Sequence, residues 1–120
     1  FSGLGEEDTR QDMERVTNKI LGARIFNDNE GVMNLSVADI GGEVLLVSQF
    51  TLYGDLRKGM RPSYSSAMRP DKARAAFGEF VELFRERHPK TMAGVFGADM
   101  KVSLVNDGPV TILIDSGRLF

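Results

Sequence analysis

The most hydrophobic stretch of this sequence constrains its fold more than any other feature. Residues 43–53 read EVLLVSQFTLY and are rich in β-branched and aromatic side chains, which favour strands. A nearly continuous apolar run bounded by turn residues is typical of a strand that is covered on both faces. The sequence therefore predicts a central strand over residues 43–53, with other elements packed on each side of it.

Two stretches with helical periodicity flank this strand. From Asp8 onward, apolar residues recur with the spacing of one helical face, Asp8 and Gln11 resemble a capping box, and Gly22 is a suitable end. In the second stretch, Pro70 is predicted to be the first helical residue, and His88 lies at the C-terminal end. We expect two apolar faces in the core, made of Met13, Val16, Ile20 and Leu21 in the first helix and of Ala73, Ala76, Phe77, Phe80, Val81 and Phe84 in the second.

The remaining segments predict loops and further strands. Residues 23–43 mix short β-prone pieces with turn sequences, and residues 54–69 form a long polar loop. Residues 100–105 alternate apolar and polar side chains and are followed by VTILID at residues 110–115. We expect these two segments to be strands that pair antiparallel across the intervening turn. With two amphipathic helices and at least three core strands, the predicted fold class is mixed α/β.

The composition limits the classes of function. A length of 120 residues is that of one domain, and a net charge of −2 argues against a protein that binds polyanions through its overall charge. Cysteine is absent, which excludes disulfides, thiol nucleophiles and Cys-based metal sites and fits a reducing cytoplasm. No stretch is apolar enough to span a membrane, and the N-terminus lacks the pattern of a secretory signal.

Polar residues interrupt the predicted central strand. Because strand side chains alternate, Gln49 and Thr51 should share one face while Ser48 and Phe50 share the other. Two interpretations are open: these polar groups satisfy neighbouring backbone, or they line a cavity. The single histidine, His88, lies at a helix end, and no HExxH, Walker A or GxGxxG pattern is present. The sequence therefore offers no conventional general base.

A second unusual segment, NDGPVT, occupies residues 106–111 and would interrupt the last pair of strands. Gly108 adds backbone freedom there, and Pro109 lacks the N–H group that a strand ladder needs. Asn106, Asp107 and Gly108 are good turn formers, so a simple hairpin connection is one interpretation. The other interpretation depends on a resemblance to a known family.

SQFTLYGD at residues 48–55, together with NDGPVT, resembles the two signature motifs of the D-aminoacyl-tRNA deacylases. NKILGARIF, RKGMRPSYSSA and FGADMKVSLVNDGPVTILIDS resemble that family in the same order, so the likeness covers nearly all of the chain. It implies a mostly antiparallel sheet or partial barrel with two amphipathic helices packed on it. It also implies a single domain over residues 1–120 that lacks the family's usual first two strands.

The resemblance implies a hydrolase that needs neither a cofactor nor a metal. Such an enzyme cleaves the ester between a D-amino acid, and by our expectation also glycine, and the terminal adenosine of tRNA. The Gly108–Pro109 peptide would be cis and would reach from one subunit of a homodimer into the site of the other. There its main chain would collide with an L side chain, so the enzyme would remove D-amino acids from tRNA by steric selection.

The same resemblance implies the site residues. Main-chain N–H groups near Phe50 and Thr51 would stabilise the developing oxyanion. Water would be activated with help from the 2′-OH of the tRNA, and a covalent Thr51 nucleophile is the rival mechanism. The alternative function is a truncated, non-catalytic domain of the same fold that binds tRNA or a partner. The residues implied are Ser48, Gln49, Phe50 and Thr51 at the site floor, Ala67, Phe96 and Met100 around the adenosine, and Arg57, Lys58 and Arg61 at the tRNA phosphates. A core role for Phe96 and Met100 is the other interpretation of those two residues.

Overall fold

The computed structural model of the chain describes residues 1–119. The elements are helix α1 (Arg10–Gly22), strands β1 (Phe26–Asn27), β2 (Met33–Leu35) and β3 (Val44–Leu46), a 3-10 turn (Phe50–Tyr53), helix α2 (Pro70–Arg87) and strand β4 (Thr91–Ala93). Strands β1 and β2 pair antiparallel, whereas β3 and β4 pair parallel across the connection that contains α2. The mixed α/β class with two helices is confirmed, and the sheets formed by residues 1–119 are small and do not close into a barrel.

Helix α1 is capped by residues other than those predicted. The Asp12 N–H donates to the Thr9 hydroxyl at 3.4 Å, and the Thr9 N–H donates to the Asp12 carboxylate at 2.9 Å. This reciprocal pair is a capping box, and it satisfies two backbone donors at the helix start. The predicted box of Asp8 and Gln11 is wrong, because the Asp8 carboxylate instead accepts the N–H of Gly5 at 2.7 Å.

The two helices pack together through the apolar faces that the sequence predicts. Helix α2 begins at Pro70, as predicted, and Phe84 within it is 0% exposed. The core interpretation of the α2 stripe is confirmed, since its aromatic residues join Met13 of α1 and Leu46 of β3. The buried cluster consists of Met13, Leu46, Phe77, Phe80, Val81, Leu83 and Phe84.

The predicted strand over residues 43–53 is wrong beyond Leu46. Strand β3 is as short as its partner β4, and the Gly94 N–H that follows β4 donates to the Leu46 carbonyl at 2.8 Å. The chain then forms one isolated bridge, between Ser48 and Ser2, and bends into the 3-10 turn. Leu45 is 55% exposed, so β3 is not covered on both faces. A strand extends only as far as a neighbour offers hydrogen-bonding groups, and an apolar run does not reveal where that neighbour ends.

The two strands predicted over residues 100–105 and 110–115 do not form, and most of this segment is exposed. The Val110 N–H donates to the Asn106 side chain at 2.8 Å rather than to a neighbouring strand. None of the four strands found in residues 1–119 pairs with the segment, so its backbone joins no ladder. Alternating side chains indicate strand potential, but a strand also needs a partner.

The burial of Phe84 gives a direct test of the core. Phe84→Ala should lower the free energy of unfolding by about 3–5 kcal/mol, because it deletes a fully buried ring and leaves a cavity between the helices. Leu45→Ala is the matched control: its side chain is exposed, and it should cost about 0.5 kcal/mol or less. Urea unfolding followed by circular dichroism measures both values. Equal costs for the two variants would contradict the assigned core.

Candidate active site

A cavity of about 740 Å³ lies where the N-terminal segment, the end of β3, the loop before α2 and the segment after β4 meet. Its volume is in the range of about 300–1,000 Å³ that is usual for small-molecule sites. Ala73 and Phe77 of α2 form its inner wall, so the core helix also shapes the cavity. Six of the residues implied by the resemblance line it together: Ser48, Gln49, Phe50, Ala67, Phe96 and Met100.

The other implied residues lie outside this lining. Thr51 follows Phe50 in the 3-10 turn and is exposed. Gly108 and Pro109 are exposed in the long segment that follows β4. Within one chain, therefore, the first motif reaches the cavity and the second does not. The three basic residues of the proposed phosphate contacts lie in the loop before α2 and are exposed: Arg57, Lys58 and Arg61.

The 3-10 turn presents two free backbone donors at the edge of the cavity. The Gln49 N–H donates to the Ser2 carbonyl at 2.8 Å, which fixes the chain just before the turn begins. The N–H groups of Phe50 and Thr51 have no hydrogen-bond acceptor within residues 1–119, as expected for the first residues of a helical turn. The Gln49 carboxamide donates to the Thr51 hydroxyl. Adjacent free N–H groups of this kind can bind a negatively charged oxygen.

An aromatic and thioether wall faces the cavity from the segment after β4. The Phe96 ring is half-buried and lies 6.0 Å from the Phe77 ring between centroids. The Arg74 guanidinium lies over the Phe96 ring, 5.0 Å from its centroid, in a cation–π arrangement. The Met100 sulfur packs so closely on Gly94 that a Cβ there would lie 2.8 Å from it. Phe96 and Met100 therefore both line the cavity, and Phe96 also packs against the core.

Several charged groups near the cavity are already paired. The Arg57 guanidinium lies 2.6 Å from the Asp55 carboxylate, and hydrogen bonds from Arg57 lower the pKa of Asp55 to about 2. Lys72 lies 3.4 Å from the Glu6 carboxylate. Lys58 and Arg61 form no ion pair with any residue in the described range 1–119. The loop before α2 is therefore less positive than its sequence suggests.

The turn at Gly108 and Pro109 is held in shape by the Asn106 side chain. Its carboxamide oxygen accepts the Val110 N–H at 2.8 Å, and its nitrogen donates to the Thr111 hydroxyl at 3.3 Å. Gly108 has a φ of 129°, and a Cβ there would lie 2.8 Å from Val110 Cγ2, so the position requires glycine. The Gly108–Pro109 peptide is cis. Two hydrogen bonds of the Asn106 side chain thus bridge this exposed turn.

The cavity also contains residues that sequence reasoning missed. Ser2 and Leu4 line it because the N-terminal segment pairs with the chain after β3. The Tyr64 ring meets the Phe50 ring edge-on with centroids 5.0 Å apart. Tyr64 lies within RKGMRPSYSSA, one of the segments that resemble the family, whereas no local pattern marked Ser2 or Leu4. Arg69, a basic residue of the stretch before α2, lines the cavity as the N-cap of that helix.

No histidine and no cluster of metal-ligating side chains lines this cavity within residues 1–119. His88 is buried, and its Nε2 lies 2.9 Å from the Gly42 carbonyl oxygen. Its side chain therefore links the C-terminal end of α2 to the loop before β3. No group of three or more His, Cys, Asp or Glu residues within residues 1–119 could hold a metal ion. Neither α1 nor α2 is long and apolar enough to cross a membrane.

Comparison with known proteins identifies the family. The family model described as D-Tyr-tRNA(Tyr) deacylase matches residues 1–115. A D-aminoacyl-tRNA deacylase of Thermotoga petrophila is 58% identical over 120 residues, which is 100% of this chain and 80% of that relative. A D-aminoacyl-tRNA deacylase of Clostridium acetobutylicum is 52% identical over 118 residues, covering 98% of this chain and 79% of the relative.

A solved structure has the same fold as this chain. The c-Myc DNA Unwinding Element Binding Protein has a TM-score of 0.86 and 40% sequence identity to this chain, over 92% of this chain and 76% of that one. The resemblance seen in the two motifs therefore extends to the whole fold and is confirmed. The chain belongs to the D-Tyr-tRNA(Tyr) deacylase family.

Proposed function

We propose that this chain hydrolyses the ester between a D-amino acid, or glycine, and the terminal adenosine of tRNA in the cytoplasm. Membership of the deacylase family makes it a hydrolase of the tRNA ester bond. One observation carries the proposal: the first motif ends in a turn with two free N–H groups, at the edge of a cavity walled by Phe96 and Met100. The site thus offers an anion-binding floor opposite a surface for an unpaired base.

The cavity suits the end of an aminoacylated tRNA. Unpaired bases are commonly bound by stacking on aromatic rings, and Phe96 offers such a ring at the wall. With the adenine against Phe96 and Met100, beside Ala67, the ester lies toward Ser48 and the 3-10 turn. Its carbonyl oxygen then faces the N–H groups of Phe50 and Thr51.

The reaction follows from this placement. Water adds to the ester carbonyl, and the resulting oxyanion is stabilised by the N–H groups of Phe50 and Thr51. Each such donor is worth about 2.7–4 kcal/mol in enzymes where it has been removed. The bond between the carbonyl carbon and the ribose oxygen then breaks. The ribose oxygen takes up a proton and becomes the tRNA hydroxyl again, and the free amino acid leaves. Because no histidine lines the cavity, the tRNA 2′-OH helps to activate the water in this mechanism.

A second copy of the chain supplies the chiral filter. Gly108 and Pro109 lie outside the cavity of their own chain, in a turn that Asn106 holds rigid. Exposed apolar side chains surround that turn, and surfaces of this kind mark protein contacts. They are Leu104, Val105, Ile112 and Leu113. In the proposed homodimer this surface is buried, and each Gly108–Pro109 turn enters the partner's cavity.

Steric exclusion by this turn explains selection by handedness. A fixed main chain beside the α-carbon leaves no room for an L side chain, whereas a D side chain points toward open space. Glycine has no side chain to collide, so it is accepted as well. Selection of this type does not depend on the chemistry of the side chain, and one site therefore serves many D-amino acids.

The selectivity is tested with matched esters. The full chain should hydrolyse D-Tyr-tRNA at least about 100-fold faster than L-Tyr-tRNA, because a main-chain clash costs the L ester about 3 kcal/mol or more in the transition state. Gly-tRNA should be hydrolysed and L-Ala-tRNA should not. Release of labelled amino acid measures all four rates. Equal rates for D and L esters would contradict the filter, and tRNA binding without any turnover would favour the non-catalytic alternative.

Thr51→Ala separates the two mechanisms. If backbone N–H groups and the tRNA 2′-OH perform the reaction, the variant should keep its turnover number within about tenfold of the original, since both groups remain. Loss of a true nucleophile removes activity by several orders of magnitude. Thr51→Ser is the control, because it retains the hydroxyl. A folded but inactive Thr51→Ala protein beside an active Thr51→Ser protein would establish Thr51 as the nucleophile.

The proposed tRNA phosphate contacts are unequal. Arg57 is engaged by Asp55, whose lowered pKa keeps that carboxylate ionised above a pH of about 2. Lys58 and Arg61, without ion pairs in residues 1–119, are the stronger phosphate ligands. The loop that carries them adjoins the cavity through Tyr64.

Salt dependence measures these contacts. Lys58→Ala and Arg61→Ala should each weaken tRNA binding and lower the slope of log K against log salt concentration by about 1, because each loses one phosphate contact. Arg57→Ala should change the slope less, since Asp55 already neutralises Arg57. Lys19→Ala, on the helix that does not line the cavity, is the control. Unchanged slopes in both the Lys58 and Arg61 variants would remove these contacts from the proposal.

A further inference from the structure

We propose that Tyr53 is a positioning residue that holds the 3-10 turn, and with it the N–H groups of Phe50 and Thr51, against the N-terminal segment of residues 2–5. This inference rests on the proposed function and adds to it a residue that does not touch the substrate. Tyr53 ends the 3-10 turn and is absent from the lining of the active-site cavity. Any effect on catalysis must therefore pass through the turn.

Alternate residues of the N-terminal segment contact different parts of the structure. Ser2 and Leu4 line the active-site cavity. Gly3 and Gly5 alternate with them and receive the Tyr53 ring: a Cβ at Gly3 would lie 3.0 Å from Tyr53 Cε2, and a Cβ at Gly5 would lie 2.8 Å from the phenol oxygen. The distance at Gly5 is too short for a real Cβ, and the distance at Gly3 would force the ring to shift by a few tenths of an ångström. Glycine at both positions therefore allows the ring to pack closely on the segment.

A carboxylate lies near the polar end of the ring. The Asp8 carboxylate accepts the Gly5 N–H at 2.7 Å, and its negative charge is close enough to raise the pKa of the Tyr53 phenol. Burial, with the charges of Asp8 and Asp115 and a smaller contribution from Asp12, raises the pKa of Tyr53 to about 12. Burial also raises the pKa of Asp8. The phenol therefore remains protonated and able to donate throughout the neutral range.

The 3-10 turn is thus attached at both ends to one segment. At its start the Gln49 N–H donates to the Ser2 carbonyl at 2.8 Å, and at its end the Tyr53 ring packs on Gly3 and Gly5. The two free N–H groups lie between these attachments. A displacement of about 1 Å in a catalytic group can cost 100-fold in rate, so the second attachment matters for an oxyanion site.

Kinetics of three variants of the full chain test the proposal. Tyr53→Phe removes the phenol oxygen that packs at Gly5 near the Asp8 carboxylate. It should lower kcat for D-aminoacyl-tRNA roughly tenfold with little change in KM, because Tyr53 does not line the binding cavity. In Gly5→Ala the new Cβ would displace the phenol oxygen of Tyr53, and with it the 3-10 turn. This variant should lower kcat by on the order of 100-fold. The double variant should be more active than Gly5→Ala alone, because phenylalanine lacks the oxygen that the new Cβ meets. Gly22→Ala, where a Cβ would meet nothing within 4 Å, is the matched glycine control.

A spectroscopic titration tests the same contact without turnover. The tyrosinate signal of Tyr53, taken as the difference between the original chain and Tyr53→Phe, should have its midpoint at about 12. In Asp8→Asn the midpoint should move toward the ordinary value of 10, because the negative charge of Asp8 no longer disfavours the ionised phenol. Since the folded pKa is raised, Tyr53 stabilises the fold fully below pH 10, and this stabilisation is lost as the pH rises toward 12.

The outcomes are distinguishable. An original chain that hydrolyses no D-aminoacyl-tRNA overturns the proposed function and, with it, this role of Tyr53. An active chain whose kcat is unchanged in Tyr53→Phe, or whose double variant shows only additive losses, overturns the role of Tyr53 alone. A loss confined to KM, or a Tyr53 midpoint at 10, does the same. If Gly5→Ala fails to fold, Tyr53→Phe and the titration still decide the question.

Discussion

The pairing of the N-terminal segment with the chain after β3 is the interaction on which the site depends. The Ser2 N–H donates to the Val47 carbonyl at 2.9 Å, and the Ser2 carbonyl accepts the Gln49 N–H at 2.8 Å. These two bonds form the last β-type bridge of the apolar run, and the chain bends into the 3-10 turn directly after it. In a strand that continued here, the N–H groups of Phe50 and Thr51 would point to opposite edges, so they could not bind one oxygen together.

The core supports the opposite side of the cavity. Phe77 belongs to the buried cluster and also lines the cavity, and Phe96 packs on it from the segment after β4. Dense packing of the cluster therefore fixes the surface on which the adenosine is proposed to lie. The parallel pairing of β3 with β4 brings the anion-binding turn close to the wall proposed for the adenosine. The 3-10 turn follows β3 in the chain, and Phe96 follows β4. Ligands commonly bind beyond the carboxyl ends of parallel strands for this reason.

Sequence reasoning predicted the helices, the short strands within residues 23–43 and the family, but not the extent of the later strands. Helical periodicity is a local property, and the faces containing Met13 and Phe84 are buried as expected. The strands over residues 43–53 and 100–115 were predicted from side chains alone, yet their extent depends on partners far away in the chain. The residues that bring the site together, Ser2 among them, act through contacts with distant positions and carry no local pattern. The residues around Ser48 and Phe96 were predicted because they lie in segments that resemble a known family. Such segments reflect the contacts of the folded protein even where no local pattern shows them.

The central claim is that the N–H groups of Phe50 and Thr51 bind the oxygen that becomes negative during hydrolysis. A crystal structure of the chain with a D-aminoacyl-adenosine analogue, in which an amide replaces the ester, tests this most directly. We predict its carbonyl oxygen at about 2.7–3.1 Å from both backbone nitrogens, with the adenine against Phe96. A carbonyl directed away from the 3-10 turn, or an adenine bound outside the cavity, would contradict the account.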